Sequence, residues 1–155
     1  MKLEAADLLA MDDGQKAAVL EALVTGVLAD GRVTPAEVRR FDEIVMPLPW
    51  GMDEPVLKAL VKGTQERVLA LKTPQQIHDF VANLAARLTK PDLRDKVVYT
   101  MATVMGADGD VNQLEKNVVG LFVVSFGITT DRFEAIKSAV GKEVEAIKAA
   151  SRPSN

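Results

Sequence analysis

Apolar residues recur three and four positions apart along most of the chain, which is the spacing of helices that bury one face. Alternation of β-branched residues is scarce and only 5% of the residues are aromatic, so strands are not expected. Prolines and capping residues separate the apolar runs. The pattern predicts an all-α fold, a compact bundle of about seven helices near residues 15–28, 35–45, 54–71, 74–88, 93–105, 113–126 and 130–150.

The length of 155 residues fits a single domain over 1–155, with a core near 15–150 and a frayed tail at 151–155. Within the third helix, Gly63 and Thr64 are expected to separate two segments. The helix at 113–126 has almost no polar face, and the helix at 93–105 is apolar over much of its circumference. We therefore expect these two helices to form the centre of the core. For the helix near 74–88, the spacing predicts a buried stripe of Ile77, Phe80, Val81, Leu84 and Leu88.

Two short stretches, 78 positions apart, resemble each other and interrupt this helical pattern. Residues 29–37 read Ala-Asp-Gly-Arg-Val-Thr-Pro-Ala-Glu, and residues 107–115 read Ala-Asp-Gly-Asp-Val-Asn-Gln-Leu-Glu. Each stretch follows one apolar helical run and precedes another. The repeat predicts two helix–turn–helix hairpins of the same design.

Helix-turn mechanics account for most of each stretch. The glycine can close the preceding helix in the left-handed conformation. Thr34 and Asn112 are N-cap residue types, and Glu37 and Glu115 stand three residues later, as in a capping box. The valine would anchor the turn to the core. Only the two aspartates have no role of this kind.

Calcium-loop spacing offers a function for those aspartates. With Asp30 at loop position five, Gly falls at six and Glu37 at the bidentate position twelve, and Asp108 and Glu115 repeat this arrangement. The first halves of both loops lack side-chain oxygens, because their positions one and three are Gly26 and Leu28, and Val104 and Gly106. Each half loop alone supplies about four oxygens where calcium takes six to eight. We therefore predict one divalent-cation site, with calcium preferred, formed jointly by Asp30, Glu37, Asp108 and Glu115.

The duplicated motif, given as helix–Ala-Asp-Gly-x-Val-x-x-x-Glu–helix, resembles the tellurite-resistance TerB-like family over about residues 15–140. The nearest stretch runs from residue 97 to 128. The resemblance implies an all-helical fold in which the two turns approach each other around an acidic patch. It further implies a metal-associated or protein-interaction module of the stress response, with a related domain in a membrane-anchored J-domain co-chaperone. Arg32, the Pro35-Ala36 pair and the Gln113-Leu114 pair depart from the more acidic members.

Composition narrows the function classes. The formal net charge of −3 argues against nucleic acid as a partner, because binding phosphates needs a clustered basic surface. The absence of cysteine removes disulfides and thiolate chemistry and fits a reducing compartment. The N-terminal residues lack a signal-peptide pattern, and the uncharged run 118–130 is too short to span a bilayer. We expect a cytoplasmic protein without direct membrane insertion.

The chemistry-bearing residues outside the turns do not form a catalytic arrangement. No Ser/His/Asp set and no phosphate loop occurs, and the single histidine, His78, stands at no recognisable ligand spacing, so we expect a non-enzymatic protein with His78 at the surface. The alternative function is a pure protein-interaction or structural domain in which the motif acids act only as caps. Its partner surface would lie around Trp50 or on the helix from Thr130. A lone Trp in a Pro-rich connection is, however, expected to pack onto the core.

Overall fold

The computed structural model describes residues 1–28, 33–106 and 113–151, without the side chains of residues 113–115 and 151. This part of the chain contains no strand, and the predicted all-α class is confirmed. None of its helices is long and apolar enough to cross a membrane. The described helices are α1 (Ala5–Leu9), α2 (Asp13–Val27), α3 (Pro35–Ile44), α4 (Glu54–Leu69), α5 (Pro74–Arg87), α6 (Pro91–Met105), α7 (Gln113–Ser125) and α8 (Thr130–Ser151).

Two features of the helices differ from the sequence-based expectation. The short helix α1 was not predicted, because five residues are too few for a periodic signal. Helix α4 is continuous, so the expected interruption at Gly63 and Thr64 was wrong. The hydroxyl of Thr64 is buried and donates to the carbonyl of Leu60 at 2.9 Å, which satisfies the hydroxyl inside the helix. A helical glycine costs only about 1 kcal/mol relative to alanine, and packing of α4 against α2 offsets that amount.

Capping interactions fix three of the helix ends. Asp12 caps α2 and Thr73 caps α5, each in a reciprocal capping box with a glutamine three residues later. At the end of α7, Gly127 has a φ of +65°, and the N–H of Ile128 donates to the carbonyl of Val123 at 3.0 Å. This is the Schellman arrangement, and it ends α7 at Gly127. Of the predicted tail at 151–155, Ser151 is the last residue of α8, and residues 152–155 lie outside the described residues.

The centre of the core is formed by α2 and α6, not by α6 and α7. Residues 18–27 of α2 are all buried, and α2 contacts α4, α5, α6 and α7. The prediction for α7 was wrong in this respect: Phe122 is fully buried, whereas Val124 is 76% exposed. Apolar residues on all sides of α7 therefore do not mean burial on all sides, because α7 has neighbours on only part of its circumference. On α5 the predicted stripe holds at Val81, Leu84 and Leu88, but Ile77 is exposed.

Two single residues lie where the sequence suggested. Trp50 is 2% exposed, and its indole N–H donates to the carbonyl of Val45 at 2.8 Å, so it packs onto the core. His78 lies at the surface, with 56% of its side chain exposed and Nδ1 3.8 Å from the Asp79 carboxylate.

An ion-pair cluster joins three helices around the one charged residue in the buried part of α2. The side chain of Glu21 is 11% exposed and accepts from Arg67 of α4 at 2.9 Å and from Arg87 of α5. Arg67 also donates to the hydroxyl of Thr64 at 3.1 Å. A buried carboxylate without such partners would be costly, so this cluster fixes α4 and α5 against α2. The sequence signal for this cluster is that Glu21 is the single charged residue within residues 17–28, between apolar neighbours.

Another ion pair fastens α1 to α6. The Asp7 carboxylate accepts from Lys96 Nζ at 2.8 Å and from the N–H of Glu4 at 2.9 Å. Partial burial works against ionisation of Asp7, but the bond and charge of Lys96 together with the Glu4 N–H outweigh it and hold the pKa below its usual value. The charged form of Asp7 is therefore favoured in the folded state.

Glu21→Ala should lower the free energy of unfolding by about 2 kcal/mol, because both arginines lose their shared carboxylate but remain partly exposed to water. Urea denaturation followed by circular dichroism measures this loss. Glu54→Ala, which removes the exposed pair with Lys58 on α4, is the matched control and should change stability little. Equal losses in the two variants would show that the Glu21 cluster adds nothing beyond a surface pair.

Asp7→Asn should destabilise the protein at neutral pH and progressively less in acid. A carboxylate with a lowered pKa in the folded state stabilises the fold above its unfolded pKa, and that contribution disappears as the pH falls through the folded pKa. Urea denaturation of both proteins at pH 7 and at about pH 3 measures the difference. A difference that stays constant across this interval would contradict the pairing, and the exposed Asp13→Asn serves as control.

Candidate cation site at the two inter-helical turns

The second half of the first turn is built as a helix N-terminus. Thr34 is extended, with φ −80° and ψ 155°, and its hydroxyl oxygen accepts from the N–H of Glu37 at 3.1 Å. Pro35 occupies the first helical position, where its missing N–H costs nothing. The predicted N-cap role of Thr34 is thereby confirmed.

Glu37 is the predicted ligand whose side chain the structure describes, and it is buried. Its exposed fraction is 1%, and Oε1 accepts a hydrogen bond from the Thr34 hydroxyl at 3.1 Å. An acid in the first turn of a helix also benefits from the positive end of the helix dipole. Glu37 is therefore held inside the protein at the edge of the first turn.

The other predicted ligands lie outside the part of the chain that the structure describes. Asp30 belongs to the segment 29–32 and Asp108 to the segment 107–112, while Glu115 lies in the first turn of α7 with its side chain not described. Among the side chains that are described, no three His, Cys, Asp or Glu form a group suited to a metal ion. The four-carboxylate site remains a prediction.

The helices that lead into the two turns approach each other closely near their C-terminal ends. A Cβ added at Gly26 of α2 would stand 2.2 Å from Cγ and 2.7 Å from Sδ of Met101 on α6, so only glycine fits this crossing without displacing Met101. The C-cap of α2 is Leu28, two residues later, and that of α6 is Gly106, five residues later. At 1.5 Å per residue, the helices end about 3 Å and about 7.5 Å beyond the crossing.

The two hairpins are also interlocked. In addition to the contact between α2 and α6, the outgoing helix α3 contacts α6, and the outgoing helix α7 contacts α2. Each hairpin thus packs its outgoing helix on the incoming helix of the other. This packing holds α2 and α6 in fixed positions relative to each other.

Both turns begin where a helix presents its negative end. The last carbonyl groups of a helix carry the negative pole of its dipole, roughly half an elementary charge, and they favour cations. In the sequence, an Asp stands two residues after each C-cap, at Asp30 and Asp108. An acid near a helix C-terminus is unfavourable by itself, typically by about 0.3–1 kcal/mol.

Comparison with known proteins supports the resemblance seen in the repeat. The family model described as "Tellurite resistance protein TerB" matches residues 15–138. Searches of curated proteins and of solved structures gave no match. The matched range includes both turns, helices α3 to α7 in full and all of α2 except its first two residues. The chain therefore belongs to the tellurite resistance TerB family.

Proposed function

We propose that this TerB-family chain is a non-enzymatic module whose two turns together bind one divalent cation, with calcium preferred. The ligands in this proposal are the carboxylates of Asp30, Glu37, Asp108 and Glu115, aided by backbone carbonyls of the turns. The family description refers to resistance and names no reaction. The proposed setting is a stress response such as tellurite resistance, in the cytoplasm, a compartment compatible with a chain that has no cysteine.

The close crossing of α2 and α6 at Gly26 and Met101 is the observation that carries this proposal. Two half loops are each too poor in oxygen to hold calcium, so a shared site requires their starting points to be neighbours. The crossing supports this requirement, since both helices end within about 8 Å of it. A cation there would also relieve the unfavourable placement of two acids after two helix C-termini.

The burial of Glu37 supports the same proposal. Carboxylates that bind calcium gain from being held in position before the ion arrives, because ordering a long side chain costs free energy. The bond from the Thr34 hydroxyl and the enclosure of the side chain provide that order. Asp30 of the same turn would then be joined by Asp108 and Glu115 of the second turn, across the α2–α6 crossing.

Millimolar calcium should raise the melting temperature of the wild-type protein, because an ion that binds only the folded state stabilises it by mass action. At a hundred times the dissociation constant the gain is about 2.7 kcal/mol, which corresponds to several degrees for a chain of this size. Differential scanning fluorimetry in EDTA and in calcium measures the shift. The double variant Asp30→Asn with Asp108→Asn should abolish it.

The matched control for that experiment is Asp13→Asn with Asp79→Asn, which removes the same charge from two exposed sites away from the turns. This control should keep the full calcium response. If the wild-type protein shows no shift at millimolar calcium or at millimolar concentrations of other divalent ions, the cation site does not exist. A shift that persists in the Asp30 and Asp108 variant would place the ion elsewhere.

The second candidate function is a protein-interaction or structural module in which the motif acids serve only as caps. The N-cap geometry of Thr34 favours it, because that geometry needs no ion. An unidentified protein partner is part of both proposals. Trp50 is unsuited to receive the partner, because it is buried. The exposed face of α8 remains available.

Thr34→Ala and Glu115→Ala distinguish the two functions. If the motif residues are caps alone, each variant should cost about 1 kcal/mol of unfolding free energy, equally in EDTA and in calcium. If the turns bind an ion, Glu115→Ala should lower the unfolding free energy more in calcium than in EDTA. The loss caused by Thr34→Ala should differ less between the two buffers. Chemical denaturation in both buffers gives the comparison.

A further inference from the structure

An apolar groove of about 420 Å³ lies between α2, α3 and α4, beside the first turn. Its floor includes Val24, Val27 and Phe41, which are all buried. Val33 and Val38 also line it and are 41% and 45% exposed, so the expectation that Val33 anchors the first turn to the core was wrong. Single exposed valines are ordinary at a protein surface, but these two border a concavity that already has an apolar floor.

The groove has the general character of a small-molecule site. Such sites enclose about 300–1,000 Å³, and apolar side chains line most of the wall while a few polar groups set the orientation of the ligand. Here the polar groups include Lys58 and Lys62 of α4 and Asp42 of α3. An apolar chain lying against the valines would bury surface that water now contacts, which is favourable by about 25 cal/mol per Å².

The charges on the α4 side favour an anionic head group. Lys58 and Lys62 are four residues apart, so their side chains project from the same side of the helix. Lys58 is paired with Glu54 at 2.8 Å. For Lys62, which is exposed, the described side chains provide no carboxylate within 4 Å. Of the two lysines, Lys62 is therefore the one that a ligand can engage without displacing an ion pair between described residues.

We propose that this groove binds a single-chain amphipathic anion, with its apolar chain along the valines and its carboxylate or similar head at Lys62. This function goes beyond the cation site, because none of the four predicted ligands is among the described residues that line the groove. The ligand is a monomeric small molecule, and a second copy of this chain or a partner protein is a different occupant.

Dodecanoate, kept below its aggregation concentration, is the probe. It is titrated into the full chain in EDTA, with the valine methyl signals followed by NMR and the affinity measured by calorimetry. We expect saturable one-to-one binding that shifts the methyl signals of Val33 and Val38. Dodecyltrimethylammonium, which has the same chain length and a positive head, should bind more weakly.

Lys62→Glu should weaken dodecanoate binding by about three- to tenfold, as expected for reversal of one exposed charge. It should also reduce the difference in affinity between dodecanoate and dodecyltrimethylammonium. Val38→Asp should abolish binding. Its control is Val124→Asp on α7, which places the same charge on an exposed valine outside the groove and should leave binding unchanged. Because Lys62 is exposed, its variant tests the proposal even if Val38→Asp impairs folding.

Three results would overturn the proposal. The first is the absence of shifts at the groove methyls, and the second is equal affinity for the anionic and cationic amphiphiles. The third is self-association of the wild-type chain that Val38→Asp removes, since a second copy would then occupy the groove. Because the titration contains EDTA, none of these results bears on cation binding, and a failed calcium experiment leaves the groove unaffected.

Discussion

The enclosure of α2 on all sides is the constraint on which the rest of the fold depends. Ten consecutive residues of this helix are buried, and helices on several sides contact it. Such a helix must be apolar around its whole circumference, or each polar group must bring its own partner. Glu21 meets this demand through Arg67 and Arg87, and by doing so it determines where α4 and α5 lie.

The same helix also brings the starting points of the two turns close to each other. Its close approach to α6 depends on the missing side chain at Gly26, which leaves room for Met101. Since this crossing lies near the C-terminal ends of both helices, the chain leaves the core twice from neighbouring points. The packing of α3 on α6 and of α7 on α2 then holds the hairpins together. Core packing thus provides the arrangement on which the proposed cation site depends.

The residues of the turns divide into those that serve the fold and those that conflict with it. Thr34 and Pro35 begin α3 in the preferred way, and Glu37 stands where the helix dipole favours an acid. In the sequence, Asp30 and Asp108 follow the C-caps of α2 and α6 by two residues, and the C-terminal end of a helix disfavours acids. Local conflicts of this kind are characteristic of functional positions, because the fold alone gives no reason to keep them. The apolar groove beside the first turn likewise contains features that the fold does not require, since exposed valines lie there near Lys62.

The sequence by itself determined the helical class, most helix boundaries and the family. These properties depend on local signals: the spacing of apolar residues, capping residues such as Asp12 and Thr73, and a nine-residue motif present twice. The surface position of His78 and the core position of Trp50 followed from equally local reasoning.

Only the tertiary structure decided which helix is central and which faces are covered. Helices α2 and α7 are both rich in apolar residues, yet α2 is enclosed while Val124 of α7 is exposed. The periodicity of a sequence shows that a helix face is apolar, but it does not show how many other helices surround that helix. The Glu21 cluster, the Gly26–Met101 crossing and the groove have the same origin, since each joins residues that are far apart in the chain and meet only when the helices pack.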